Sequence, residues 1–159
     1  MAAEPHLINC VCTGNICRSP MAERLLKHAL EGQTGAWACR YTVVSSGIFA
    51  AEGQRATSHS VQALKKVGID LDDHRSQAVT QSIVQQSALT LCMTDEHKDF
   101  IQRLFPNVTT PILLIRALLT DAECATIGDP YGHDFSHYEA CRDSIAEAIP
   151  SILSYLKTL

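Results

Sequence analysis

Short apolar runs alternate along this chain with segments in which apolar residues recur at helical spacing. Buried strands are predicted where apolar, β-branched or aromatic residues stand together, at 7–11, 41–44, 89–93 and 111–115. Helices are predicted where apolar residues repeat every three or four positions, from Ser19 onwards and over 57–67, 95–105 and 135–159. Strands that alternate with helices indicate an α/β fold, a parallel sheet covered by helices on both faces.

Turn-forming and helix-ending residues mark the predicted boundaries. Residues 45–47, Ser-Ser-Gly, are predicted to end the second strand. Pro20 suits the first turn of the first helix, and Gly68 is a predicted helix C-cap. Pro106 is predicted to stop the third helix, and Pro150 is expected to bend the last one.

The size and composition are those of one globular domain. The chain has 159 residues, of which 46% are hydrophobic and 19% charged, and this suits a single core over 1–159. The net charge of −4 gives no general attraction to nucleic acid or membrane, so neither is an expected partner and any anion site is local. Glu4 stands where a signal peptide carries Lys or Arg, and the apolar stretch 111–119 is too short to span a bilayer. A cytoplasmic location is expected.

The cysteines indicate chemistry rather than a disulfide framework. There are seven, an odd number, and Cys10, Cys12 and Cys17 form their only cluster. Free thiols in a reducing compartment fit this pattern, and clustered thiols there indicate catalysis or metal binding. The cluster lacks the paired Cys-x-x-Cys spacing of a zinc site, and His133 and His137 are more typical of a solvent-exposed pair. No metal is predicted.

The most informative segment is 12–19, Cys-Thr-Gly-Asn-Ile-Cys-Arg-Ser, between the first strand and the first helix. Open α/β sheets bind ligands at the carboxyl ends of their strands, and a helix N-terminus offers free N–H groups to an anion. Gly14 lets the loop curl, and Asn15 tolerates a left-handed conformation. Arg18, six residues after Cys12, can hold two phosphoryl oxygens at once.

These surroundings also favour the thiolate form of Cys12. The thiolate could attack phosphorus and form a phosphocysteine, and Ser19 could donate a hydrogen bond to it. The Cys-x5-Arg spacing alone also fits an ordinary strand-to-helix turn around a buried thiol. The position at a strand end, the loop glycine and the helix start favour the catalytic interpretation.

The run Val-Cys-Thr-Gly-Asn-Ile-Cys-Arg-Ser-Pro-Met-Ala-Glu at 11–23 resembles the phosphate-binding loop of the low-molecular-weight protein-tyrosine-phosphatase family. The family also has an Asp-Pro-aromatic motif before its C-terminal helix, and this chain has Asp-Pro-Tyr at 129–131. The resemblance covers the whole length. It implies a four-stranded parallel sheet flanked by helices and hydrolysis of phosphotyrosine in proteins without metal or other cofactor. It also implies inhibition by phosphate or vanadate.

The resemblance assigns roles to individual residues. Cys12 corresponds to the nucleophile, Arg18 to the phosphate clamp and Asp129 to the general acid. The implied phosphate-binding residues are Thr13, Gly14, Asn15, Ile16, Cys17, Arg18 and Ser19. From local sequence alone, Asp-Pro-Tyr-Gly is also a plain type I turn, and Asp134 is a nearby but weaker candidate acid.

Three further residues resemble supporting positions of the family. Ser45 and His74 correspond to residues that bond Asn15 and hold the loop open, although a turn serine and a solvated histidine are simpler interpretations. Cys17 corresponds to the cysteine that traps an oxidised nucleophile, Cys12, as a reversible disulfide; the alternative is a small apolar filler. Segments 47–53 and 121–134 are the predicted functional loops.

Substrate preference is less clear from the sequence. Ile16 should present an apolar rim, and Tyr131 and Phe49 should form walls for an aromatic ring, which favours phosphotyrosine. Protein-arginine phosphatases of the family carry Thr where this chain has Ile16. In the opposite direction, Thr13 and Met-Ala-Glu at 21–23 resemble the arginine-phosphatase and arsenate-reductase branches. Gly132 also replaces a tyrosine that many tyrosine-specific members have.

Two other activities are disfavoured on the same scaffold. Arsenate reductases use distal cysteines as a redox relay, and Cys92 has no second cysteine a few residues later. Phosphoprotein-binding modules usually lack the nucleophile or the acid, and this chain retains Cys12, Arg18 and Asp129.

Overall fold

Four parallel strands form the centre of the fold in the computed structural model, which describes residues 4–120 and 124–159. The strands are β1 (Leu7–Cys12), β2 (Thr42–Gly47), β3 (Ser87–Cys92) and β4 (Ile112–Leu114). They lie in the order β2-β1-β3-β4, and every neighbouring pair is parallel. The predicted single α/β domain with a four-stranded parallel sheet is therefore confirmed.

Within the described residues, five helices and one 3-10 turn accompany the strands. The helices are α1 (Arg18–Glu31), α2 (Ser58–Lys65), α3 (Gln81–Gln85), α4 (Asp95–Leu104) and α5 (Phe135–Leu156), and the 3-10 turn spans Ala38–Arg40. Within the described ranges, none of these helices has the length and apolar character needed to cross a membrane.

Alternation along the strands divides the core between the two faces of the sheet. Successive side chains of a strand point to opposite faces. Ile8 and Cys10 of β1 pack in the core beneath α1, α2 and α5, whereas Val11 packs in a second core with Val84 of α3 and Ile101 of α4. Helices therefore cover both faces, as the strand–helix alternation predicted.

The structure corrects the prediction that residues 45–47 end the second strand. Ser45, Ser46 and Gly47 continue β2 by pairing with Cys10, Val11 and Cys12 of β1. Both serines are buried in the sheet. Turn-forming residues were overridden here because the neighbouring strand supplies backbone partners and the side chains find partners of their own.

Other boundaries differ by a few residues. The helix α3 and the 3-10 turn were not predicted, because elements this short cannot establish an apolar repeat. The final helix ends at Leu156, three residues before the predicted limit, and continues through Pro150. Gly68 has a φ of +78° and follows the observed C-cap, Lys66, by two residues.

Candidate active site

Asn15 is the hydrogen-bonding centre of the loop between β1 and α1. Its φ of 56° lies in the left-handed region, which asparagine tolerates better than most residues. The side-chain nitrogen donates to Ser19 Oγ at 2.8 Å and to Ser45 Oγ at 2.9 Å. The side-chain oxygen accepts from the backbone N–H of Gln77 at 2.9 Å. This fully engaged side chain holds the loop in one open conformation.

His74 supports the same residue from the other side. Its Nε2 lies 2.7 Å from the backbone oxygen of Asn15. A carbonyl oxygen only accepts, so the histidine nitrogen donates this bond. Burial lowers the pKa of His74, which keeps the ring neutral near pH 7. The structure therefore contains both contacts to Asn15 that the sequence resemblance implied for Ser45 and His74.

Gly47 allows the end of β2 to approach the loop closely. A Cβ at this position would lie 2.5 Å from the backbone oxygen of Thr13 and 3.0 Å from the nitrogen of Asn15. The next two residues donate backbone N–H groups to the loop, Ile48 to Cys12 and Phe49 to Thr13. Only glycine fits without displacing the loop.

The sulfur of Cys12 is buried, with the residue only 2% exposed, and lies 2.9 Å from Ser19 Oγ. Ser19 Oγ accepts a hydrogen bond from Asn15, and its own proton can go to this sulfur or to the backbone oxygen of Ser46, which lies 3.4 Å away. A donated hydrogen bond favours the anionic form of its acceptor. Ser19 is therefore placed to donate a hydrogen bond to the sulfur of Cys12.

Arg18 is almost completely buried, with 4% exposed, and one edge of its guanidinium has weak or missing partners. Nη1 donates to the backbone oxygen of Ile127 at 2.9 Å, which anchors the group. Nη2 has only longer contacts, and Nε has no hydrogen-bond partner within the described part of the chain. Nε and Nη2 lie on one edge of the planar group, the geometry with which an arginine can bind two oxygens of an anion.

A cavity of about 190 Å³ lies beside Cys12 and Arg18. Its lining comes from the loop after β1, including Ile16, and from Asp129 and Tyr131 before α5. Larger cavities of about 300 and 320 Å³ lie elsewhere, but neither is lined by this loop. The chemistry of the lining, and not its volume, distinguishes the site.

Phe49 does not line this cavity, contrary to the expectation that it forms a wall for an aromatic ring. Its ring packs edge-on against Phe100, with the centroids 5.1 Å apart, and 68% of the residue is exposed. The backbone N–H of Phe49 donates to the backbone oxygen of Thr13, whereas its side chain lies outside the cavity lining. Tyr131 is the aromatic residue that the structure places at the cavity.

The turn at Asp129 differs from the predicted type I turn over 129–132, because the β-turn hydrogen bond runs from the His133 N–H to the Pro130 oxygen at 3.0 Å. Oδ1 of Asp129 accepts from the backbone N–H of Tyr131 at 3.0 Å, which forms a side-chain turn just before it. Its Oδ2 lies 3.6 Å from Nη2 of Arg18, so the same carboxylate lines the cavity. Asp134 instead binds Ser136 and His137, and the Ser136 hydroxyl is the main cause that lowers its pKa to about 2.

Cys17 shares the cavity with Cys12 but points its sulfur towards other groups. The sulfur lies 3.5 Å from Thr57 Oγ1 and 3.7 Å from the hydroxyl of Tyr138. Burial is the largest cause that raises the pKa of this thiol. All seven cysteines are free in the structure, so a bond between Cys12 and Cys17 stays a prediction.

His133, just before α5, and His137, in its first turn, belong to no metal cluster among the described residues. The rings of His133 and His137 stack with centroids 4.6 Å apart, and Nδ1 of His137 lies 2.7 Å from Asp134. Across 4–120 and 124–159, no group of three or more His, Cys, Asp or Glu side chains is arranged to hold a metal ion.

Sequence reasoning missed His97, which contacts the loop from α4. Its Nε2 lies 2.9 Å from Thr13 Oγ1, and its Nδ1 caps α4 through Thr94. Burial is the main cause that lowers its pKa to about 4; nearby Arg18 adds to this, and Asp129 opposes it. The Thr-x-x-His spacing after a buried strand was the available signal, because it resembles a capping box at the carboxyl edge of the sheet.

Comparison with known proteins places the chain in a defined group. The sequence model of the family described as low molecular weight phosphotyrosine protein phosphatase matches residues 7–159. A protein-arginine-phosphatase of Geobacillus stearothermophilus is 35% identical over 97% of this chain and 98% of its own. A probable low molecular weight protein-tyrosine-phosphatase, EpsP, of Ralstonia nicotianae is 33% identical over 94% of each chain.

A solved structure shows the same fold. The Erwinia amylovora tyrosine phosphatase AmsI superposes with a TM-score of 0.83 and 30% identity, over 96% of this chain and 94% of that one. Other similar proteins are named arsenate reductases. Overall similarity therefore includes proteins of all three activities.

Proposed function

This chain belongs to the low molecular weight phosphotyrosine protein phosphatase family, and we propose that 1–159 form one phosphatase domain that hydrolyses phosphotyrosine in proteins through a phosphocysteine intermediate. One observation carries the proposal: Cys12 and the buried Arg18 line the same small cavity, and Nε of Arg18 has no hydrogen-bond partner among the described residues. The seven free thiols support a cytoplasmic location.

Binding relies on local positive character in a chain whose net charge is −4. The backbone N–H groups of the loop and of the first turn of α1 provide donors to an anion, and the helix dipole adds to their effect. The Nε and Nη2 edge of Arg18 takes two phosphoryl oxygens. Phosphate and vanadate, which present similar oxygens, should bind in the same place as inhibitors.

The first chemical step transfers the phosphoryl group to sulfur. The Cys12 thiolate attacks phosphorus, a P–S bond forms and the P–O bond to the tyrosine oxygen breaks. Asp129 in its acid form donates a proton to the leaving oxygen, so the product is a neutral phenol. The Ser19 hydroxyl, 2.9 Å from the sulfur, donates a hydrogen bond to the attacking thiolate.

The second step releases phosphate. Asp129, now a carboxylate, takes a proton from a water molecule. The oxygen of that water attacks phosphorus, and the P–S bond breaks. Inorganic phosphate leaves and the Cys12 thiolate is restored. Water is the only second substrate in this sequence, and Asp129 ends the cycle protonated as it began.

Ile16 and Tyr131 support phosphotyrosine as the preferred substrate. An apolar branched side chain and an aromatic ring at the cavity suit the leaving group of an aryl phosphate. A hydroxyl at position 16 would instead help to orient attack on a phosphorus–nitrogen bond.

Phosphoarginine is the second candidate substrate, because a relative of nearly equal length and 35% identity is named a protein-arginine-phosphatase. Arsenate reduction has less support. Cys92 is buried in β3, burial raises its pKa to about 12, and no second cysteine stands nearby in sequence for a relay.

Hydrolysis of para-nitrophenyl phosphate in the presence of EDTA tests the phosphatase activity, with Cys12→Ser as the control. A hydroxyl does not ionise near neutral pH, so this variant should lose turnover and still bind phosphate or vanadate through the unchanged loop. Appreciable steady-state hydrolysis by verified Cys12→Ser would overturn the proposal. Comparing kcat/KM for phosphotyrosine and phosphoarginine peptides on one preparation decides between the substrates.

A further inference from the structure

The contact between Thr13 and His97 has no role in the mechanism above. Thr13 directly follows the nucleophile and lines the cavity. His97 lies in the first turn of α4, is 1% exposed and reaches Thr13 Oγ1 with Nε2 at 2.9 Å. A fully buried histidine that touches the catalytic loop from another element is placed to influence it.

The surroundings of His97 determine which ring nitrogen carries the proton. The backbone N–H of Thr94 donates to Nδ1 at 3.1 Å, so Nδ1 is an acceptor and has no hydrogen in the neutral ring. The hydrogen is therefore on Nε2. The contact at 2.9 Å is consequently a hydrogen bond donated by His97 to the hydroxyl oxygen of Thr13.

Thr13 Oγ1 receives a second donor from the other side. Nη2 of Arg18 donates to it at 3.4 Å. A hydroxyl oxygen has two lone pairs and one proton. Both lone pairs of Thr13 Oγ1 face N–H donors, so its proton is left to be donated to a third group. No hydrogen bond donated by this hydroxyl to a described residue is present.

We propose that the Thr13 hydroxyl donates a hydrogen bond to the phosphoryl group in the cavity, and that His97 is the positioning residue that fixes this direction. The inference rests on the proposed function and adds a side-chain donor to the backbone cradle. Without the bond from Nε2, the hydroxyl could rotate and turn a lone pair towards the anion. His97 therefore acts through Thr13 and does not itself touch the substrate.

The competing explanation is that His97 only caps α4. The two roles use different atoms of the ring, since Nδ1 makes the capping contact and Nε2 makes the contact with Thr13. Two amide variants separate them. His97→Asn retains a polar atom near the position of Nδ1 but is too short for Thr13. His97→Gln extends an N–H donor to about the position of Nε2.

The experiment measures the Kd of inorganic phosphate by calorimetry, kcat/KM for para-nitrophenyl phosphate and the Tm of each variant. Thr13→Val should weaken phosphate binding and lower kcat/KM by about 10- to 100-fold, the loss typical of one hydrogen bond to a charged group. Thr13→Ser, which keeps the hydroxyl, should recover most of both. His97→Asn should lower both at least fivefold, and His97→Gln should recover most of that loss. In the double variant Thr13→Val/His97→Asn, the two losses should not multiply.

Three results would overturn the inference. A Kd of phosphate for Thr13→Val within about twofold of the wild-type value would exclude the donor role. Independent, multiplying losses would exclude action through Thr13. Full phosphate binding by His97→Asn with weak binding by His97→Gln would reduce His97 to a helix cap. The proposed function fails if the wild type shows no turnover. The inference about Thr13 is tested separately, because it is measured by the Kd of phosphate.

Discussion

The carboxylate of Asp129 lies 3.6 Å from the guanidinium of Arg18, and the two partners differ greatly in exposure, at 52% and 4%. An ion pair with one solvated partner is weak, typically below about 1 kcal/mol. An anion that binds the Nε and Nη2 edge of Arg18 can therefore replace this contact at little cost. Asp129 would then be free to face a leaving group, which is the motion that a general acid beside a phosphate clamp requires.

Arg18→Lys should lower kcat/KM severely, by at least about 100-fold, and weaken binding of vanadate. An ammonium on a flexible stem cannot reproduce the bidentate edge or the anchor to the carbonyl of Ile127. Titration with vanadate and steady-state kinetics check this. The exposed Arg103, on the far part of α4, offers Arg103→Lys as the matched control. Near-normal activity of Arg18→Lys would contradict the clamp role.

Asp129→Asn should reduce turnover by roughly 10²- to 10⁴-fold, the range of lost general acid–base catalysis. The loss should be smaller for aryl phosphates with good leaving groups, because they need less protonation. A series of substituted phenyl phosphates measures this dependence. Equal losses across the series would mean that Asp129 serves only the turn that it forms with Tyr131.

Mild peroxide should inactivate the enzyme, and dithiothreitol should restore it. Oxidation converts the Cys12 thiolate to a sulfenic acid, which condenses with the thiol of Cys17 and releases water. Because burial raises the pKa of Cys17, this condensation should speed up as the pH rises. Cys17→Ala should make the loss of activity irreversible. Cys39→Ala, which removes an exposed cysteine, should leave it reversible. Peptide maps of the oxidised enzyme without a Cys12–Cys17 link would remove the protective role.

Tyr131→Ala should lower kcat/KM for phosphotyrosine peptides by about twofold to tenfold, the value of one aromatic contact. The loss should be smaller for a small alkyl phosphate, which has no ring to stack. Phe49→Ala is the matched control, because that exposed aromatic residue lies outside the cavity lining. Ile16→Thr should shift the preference towards phosphoarginine. A wild-type enzyme that already prefers phosphoarginine would refute the aryl preference.

The stability of the protein should fall on acidification between about pH 6.5 and 4 because of His97. Its pKa is lowered from 6.5 to about 4, mainly by burial, so the unfolded chain binds a proton in this window and the folded chain does not. The contribution of His97 to the free energy of unfolding is complete above about pH 6.5 and is lost as the pH falls through 4. Burial lowers the pKa of His74 as well, so its effect on stability has the same sign.

Denaturant unfolding at pH 7 and pH 4.5 measures this effect. Between the two pH values, the free energy of unfolding of the wild type should fall by on the order of 2 kcal/mol more than that of His97→Gln. His28→Gln, at an exposed position of α1, is the matched control and should behave as the wild type. Equal losses in the wild type and His97→Gln would show that His97 does not stay neutral in the folded state.

The sequence determined the features that depend on neighbours along the chain. Short apolar runs predicted the four strands, and helical spacing predicted the four longer helices. The segment 12–19 contains the proposed nucleophile, the proposed clamp and the start of α1 within eight residues, so its chemistry could be interpreted directly. Asp129 was proposed through its motif, although the β-turn of the structure begins at Pro130, one residue later than predicted.

The tertiary structure decided which distant groups meet that segment. Strand order β2-β1-β3 brings the carboxyl ends of β2 and β3 to either side of the loop. It therefore places Gly47 against Thr13 on one side and His97 against the same residue on the other. It also explains why Phe49 turns to Phe100 and away from the cavity. Strand order and register depend on how two faces of a sheet bury their apolar side chains together, and periodicity within a single segment contains no information about either.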